Sequence, residues 1–154
     1  MERSEVVQFL RTVPAEAGDV CAGLSDDQLR QRPVDAEWSL LEIVCHLRDA
    51  ILEEGTRVRR LVQEEDPTLV PYDQEAWAIE RNYRGEDPRK ALTALRAFWT
   101  GFAYELERLP AQQWERAGVH PEIGRVTVRS RAERQVEHAQ AHLGQMRDVR
   151  ERLR

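Results

Sequence analysis

The sequence predicts an all-α protein, a four-helix bundle with extra short helices. Three observations carry that expectation. Almost every stretch between turn signals repeats its apolar residues at spacings of three and four, the period of an amphipathic helix. No alternating apolar–polar run of strand length interrupts them. The chain has 154 residues, enough for one core, so a single domain over residues 1–154 is expected.

The first helix is expected over Ser4–Cys21, with Val6, Val7, Leu10, Val13 and Ala17 on its inner side. Pro14 lies inside that span, where a missing amide hydrogen invites a kink or a break. Ser25-Asp26-Asp27-Gln28 fits a capping box that opens a short turn of helix, ended by Pro33. Ser39-Leu40-Leu41-Glu42, preceded by Trp38, is a second capping box. It opens a helix over Ser39–Val62 with Leu40, Val44, Leu47, Ile51, Val58 and Leu61 as its apolar stripe. A short helix follows over about Tyr72–Tyr83. Asp87-Pro88 reads as an N-cap followed by proline at the first helical position. That helix turns Ala91, Leu95, Phe98, Phe102, Leu106 and Leu109 inward and closes at Pro110. Residues 111–126 read as a long connection, a length more often functional than idle. Thr127 caps the last helix, whose stripe is Ala132, Val136, Ala139, Leu143, Met146 and Leu153. Such alternating steps of four and three suit bundle packing.

Composition narrows the function. At 41% hydrophobic and 33% charged, the chain has the make-up of a globular protein. No apolar run approaches the ~20 residues of a membrane span, and MERSEVVQFL lacks the form of a secretory signal. A cytoplasmic protein with no membrane partner is expected. The net charge of −5, with Arg and Glu interleaved as in Glu53-Glu54-Gly55-Thr56-Arg57, argues against a nucleic-acid partner. That segment reads as ion pairing on a helix surface. Cys21 and Cys45 stand in no metal-binding spacing and read as reduced, buried thiols.

The histidines carry the chemistry. His138 and His142 are four apart on one helix, so their rings share a face one turn apart. His46 lies on another helix, beside its apolar seam. Two imidazoles from one helix and a third from its neighbour can hold one ion and leave a coordination position open, the mark of a catalytic site. The alternative is three unrelated boundary histidines, each with its own hydrogen bond. His138-Ala139-Gln140-Ala141-His142 is not a zincin motif, because Ala139 stands where the general-base glutamate would be.

The stretch Pro33 … Glu37-Trp38-Ser39-Leu40-Leu41-Glu42-Ile43-Val44-Cys45-His46-Leu47 resembles the first motif of the DinB/YfiT-like superfamily. Gly124 … Thr127 … His138-x-x-x-His142-x-x-Gln145 resembles its last motif, and the helices between are in matching order. The resemblance spans nearly the whole chain. It implies the superfamily's up-and-down variant of the four-helix bundle. It also implies a divalent metal ion, zinc or nickel, on a triad that maps to His46, His138 and His142, and a homodimer. Some relatives act with low-molecular-weight thiols as S-transferases, and others are described as hydrolases.

Three neutral imidazoles leave the ion's charge intact, so it acidifies water or deprotonates a thiol. The resemblance favours an S-transferase in which the metal activates a low-molecular-weight thiol cosubstrate against a small-molecule electrophile. The alternatives are a metal-dependent hydrolase using metal-activated water, or a non-catalytic stress-response protein that binds metal or ligand. By helical spacing, Glu42 and Asp49 are candidates to orient His46, and Gln145 to orient His142. Glu42 serves the capping box equally well. Glu53 is a candidate base or a surface carboxylate, His120 a lid residue or a plain loop histidine, and Arg81 and Arg84 candidate receivers of an anionic substrate.

Overall fold

The computed structural model describes all residues, Met1–Arg154. Four long helices form the bundle: α1 (Arg3–Cys21), α3 (Leu40–Gln63), α5 (Pro88–Arg108) and α6 (Val128–Glu151). Two short helices, α2 (Asp26–Arg30) and α4 (Gln74–Glu80), sit in the connections. Both α1 and α3 pack against α5 and α6, so around the bundle the order is α1, α5, α3, α6. No helix is long and apolar enough to cross a membrane.

Local chemistry sets the helix starts as expected. Ser25, Ser39 and Thr127 each close a reciprocal capping box, with Gln28, Glu42 and Ser130. Asp87 caps α5 and Pro88 occupies its first turn. The stripes of α1 and α3 are buried in full. Helix α1 runs through Pro14 without a break. On α5 the periodicity undercounts the core: Trp99 is fully buried, while Phe98 and Leu109 only flank it. The Trp99 indole N–H donates to the Leu47 carbonyl at 3.1 Å, tying α5 to α3. Similarly, Trp114 donates to Leu106 O at 3.2 Å. These two bonds let large amphipathic rings be buried with their polar atom satisfied.

The connection after α5 is not featureless. It holds a 3-10 turn (Ala111–Glu115) and an antiparallel hairpin, β1 (Ala117–His120) with β2 (Gly124–Thr127). Four-residue strands are too short for alternation to register, so the sequence pattern missed them. The hairpin is anchored by the segment that follows α3. Leu69 N–H donates to Val119 O, and Val119 N–H to Pro67 O, both at 2.8 Å. Gly118 permits this approach, since a Cβ there would stand 2.5 Å from the Pro67 carbonyl oxygen. The two segments are thereby held beside α3 and α6, next to the histidines.

Candidate metal centre

His46 projects from the second turn of α3, and His138 and His142 from the middle of α6. The three rings meet where these two helices pack. His138 Nε2 lies 3.0 Å from His46 Nε2 and 3.1 Å from His142 Nε2. One ligand nitrogen from each ring falls within 4.8 Å of the others. His46 is 2% exposed and the other two are part-buried. Trp38, the residue before the α3 cap, tilts against His46 with ring centroids 5.3 Å apart.

The donor set fits a cation. A ring nitrogen has one in-plane position, filled by a proton or a lone pair. His138 Nε2 therefore cannot form a full hydrogen bond to both neighbours. Three lone pairs directed at one ion resolve the conflict, and both spacings lie inside the ~4.2 Å that two nitrogens sharing an ion can span. Gln145 supports this assignment. Its Oε1 sits 2.8 Å from His142 Nδ1 and accepts that N–H, which leaves Nε2 as the lone-pair nitrogen. Burial pushes His46 and His138 down to about 3, with the neighbouring imidazoles adding to the effect. Burial also lowers His142, against the opposing pull of Gln145. All three rings are thus neutral, as ligands must be.

A pH dependence follows for metal-stripped protein. The folded rings stay neutral while the unfolded chain takes up protons below the ordinary histidine value of 6.5. The unfolded state then binds more protons, so stability falls as pH drops from 6.5 toward about 3. The ion-paired carboxylates act only below their ordinary value of 4.5, so the upper part of the window isolates the histidines. Thermal midpoints between pH 7 and about 5 should fall more steeply for wild type than for the double variant His46→Gln/His138→Gln. Equal slopes would contradict the burial argument.

The other candidates orient no ring. Glu42 accepts from Ser39 and forms a two-pronged pair with Arg32 at 2.8 and 2.7 Å, which holds its carboxylate charged despite burial. Asp49 accepts from Arg48 (2.8 Å), Arg81 (3.0 Å) and the Tyr83 hydroxyl (2.7 Å). Those bonds make it a hub joining α3 to α4 and the following turn. Their i−4 and i+3 spacing from His46 was real, but nearer cations captured both carboxylates. Arg81 is engaged with Asp49 and stacked 3.6 Å from the Trp77 ring centre. Cys45 adjoins His46 in sequence but faces the core, where burial raises its thiol out of the reactive range. By contrast, Gln145→Ala should weaken metal binding ~10–100-fold without abolishing it, measured by chelator competition. An unchanged affinity would remove Gln145 from the site.

One cluster escaped the sequence reading. Glu54, expected on the surface with Arg57, is 1% exposed. Arg131 of α6 clamps it at 2.6 and 2.8 Å, Gln135 donates to it at 3.2 Å, and Arg57 stands at 3.4 Å. The cluster lines a cavity of about 280 Å³ that reaches His138 and also includes Tyr72, His120 and Arg134. A second cavity, of about 220 Å³, opens on His142 and Gln145 beside Trp38. Gln74, the first residue of α4, borders both cavities.

Comparison with known proteins agrees with this architecture. The family model described as DinB superfamily matches residues 10–146. A Bacillus subtilis protein named "Putative metal-dependent hydrolase YfiT" is 26% identical over 153 residues, covering 99% of this chain and 86% of that protein. A protein of Oceanobacillus iheyensis named "Putative metal-dependent hydrolase OB0413" is 26% identical over 145 residues, covering 93% of this chain and 82% of that protein. The solved structure of B. subtilis YfiT, described as a probable metal-dependent hydrolase with an unusual four-helix bundle topology, superposes with a TM-score of 0.88 at 26% identity. That match covers 96% of this chain and 85% of the other. With its four-helix bundle and its paired end motifs, this chain belongs to the DinB superfamily.

Proposed function

We propose that this chain is a metal-dependent hydrolase whose divalent ion is held by His46, His138 and His142. The observation that carries the reading is the meeting of three neutral ring nitrogens, with neighbouring pairs 3.0 and 3.1 Å apart. The relatives' names support the reaction class. A bound divalent ion supplies Lewis acidity and lowers the pKa of water toward ~7. The chain's own residues prepare for it. Burial keeps the rings unprotonated, Gln145 fixes the His142 tautomer, and the cavities beside His138 and His142 give a small molecule two approaches. Three imidazoles accept zinc or nickel alike. The same donor set would activate a thiol, but no residue in either cavity singles out a thiol cosubstrate, and the relatives' names favour hydrolysis. The homodimer implied by the resemblance is a separate proposal, read by light scattering.

The test uses protein prepared without a histidine tag and a panel of activated esters and anilides. We expect one ion per chain, and turnover that a chelator removes and added zinc or nickel restores. Turnover that survives chelation overturns the reading. Metal-dependent acceleration of thiol alkylation by an electrophile such as monobromobimane above its uncatalysed rate, with no ester cleavage, transfers the site to an S-transferase.

A further inference from the structure

We propose that the cavity on the His138 side of the triad is a subsite for the carboxylate of a monoanionic substrate, bound by His120 and by Arg57, Arg131 and Arg134. This inference rests on the triad being the reacting centre, as proposed above. Four observations carry it.

The first is His120, which lies at the end of β1 and is 8% exposed. Its Nδ1 accepts the Glu122 backbone N–H at 3.1 Å. That bond places the ring proton on Nε2, which meets no protein acceptor although the ring lines the cavity. Most of the ring is buried, but Nε2 is not among the buried polar atoms, so a donor fixed in one tautomer is left open to the cavity and free to bind what enters it. Burial, with the charges of Arg131 and Arg57, keeps the ring neutral.

The second is a concentration of unsatisfied polar atoms. Buried side-chain atoms without a partner are Arg57 Nε, Gln135 Oε1, His138 Nδ1 and Gln113 Oε1. The first three belong to residues around this one cavity, and the two nitrogens among them, Arg57 Nε and His138 Nδ1, are the donors that suit an anion, whereas Gln135 Oε1 is an acceptor. The third is charge. Three arginines face two glutamates, Glu54 and Glu122, across the lining. The single positive charge left over matches a carboxylate better than a doubly charged phosphate. Arg57 and Arg131 share the one carboxylate of Glu54, and Arg134, the exposed arginine of the three, has only a loose pair with Glu137 at 3.9 Å, outside the lining. The fourth is position. His138 lines the same 280 Å³ space, so an anion held by His120 and the arginines lies beside the metal ligands.

The test titrates butyrate, its neutral isostere butyramide and inorganic phosphate into the full chain, both metal-loaded and chelator-treated. Histidine ¹⁵N shifts report on His120. Arg57 and Arg131 variants are avoided, because they would strip the buried Glu54 of its partners. His120→Asn keeps an acceptor for the Glu122 N–H and removes the Nε2 donor, and Arg134→Gln alters an exposed side chain. In chelated protein, butyrate should shift the His120 Nε2 resonance and bind about tenfold more tightly than butyramide. His120→Asn should weaken butyrate about tenfold, and Arg134→Gln about threefold, with metal stoichiometry unchanged in both. Equal butyrate affinity in wild type and both variants overturns the subsite, as does tighter binding of butyramide or phosphate. Wild-type protein that takes up no metal sinks the hydrolase reading by itself, while the chelated titration still decides whether the anion site exists.

Discussion

His46→Ala, His138→Ala and His142→Ala should each lower metal affinity by more than about 100-fold, beyond the range expected for a lost outer partner such as Gln145. Each substitution removes one of only three protein donors, and no carboxylate or thiol stands ready to replace it. Glu42 and Asp49 are committed to arginines, and Cys45 is buried away from the rings. Hydrolysis should fall with metal occupancy and should not be rescued by excess substrate. His138 is the most telling position, because its Nε2 touches both other rings. Competition against a chromophoric chelator measures the affinity. Wild-type affinity in His138→Ala would mean that the rings do not share an ion, and the hydrolase proposal would end there.

Glu54→Gln should destabilise the protein by about 3–5 kcal/mol, the cost of leaving a buried charge without its partner. For a domain of this length that amounts to a fall of roughly 6–20 °C in the thermal midpoint. The reason is geometric. Glu54 is 1% exposed and neutralises Arg131, itself 6% exposed, through two short bonds, with Arg57 close behind. Removing the negative charge strands those guanidiniums in the packed seam between α3 and α6. Replacing Glu54 and Arg131 together by methionine should recover a large part of the loss, since an apolar pair of similar volume often serves as well as a buried ion pair. The Arg59–Glu105 pair is a useful control: its side chains are 46% and 47% exposed, and deleting it should cost at most ~1 kcal/mol. Urea unfolding of wild type and the three variants checks the series. A Glu54→Gln variant as stable as wild type would show that the cluster is solvated in solution.

The two clusters on the α3–α6 seam differ in how visible they were beforehand. The histidines follow helical spacing and sit in recognisable end motifs, so their common face could be read from the chain. Glu54 has the same local surroundings as its neighbour Glu53, and only Arg131, 77 residues away, distinguishes the two. The same holds for Asp49, whose partners Arg81 and Tyr83 lie 32 and 34 residues further on. Trp99 was passed over because Phe98 fits the stripe better, and the choice between them is made by the Leu47 carbonyl on another helix.

Local signals in the chain were enough to place the starts of the long helices, the buried stripes of α1 and α3, and the three histidines that could meet. Capping boxes and a 3.6-residue period act within a few residues of one another, so they are complete in the chain order. Packing of the helices settled the rest: which carboxylates are ion-paired away from the rings, that the long connection folds back as a hairpin, and that His120 faces the cavity beside His138. Those outcomes turn on desolvation and on partners brought together from separate segments, and neither quantity exists until the helices have packed.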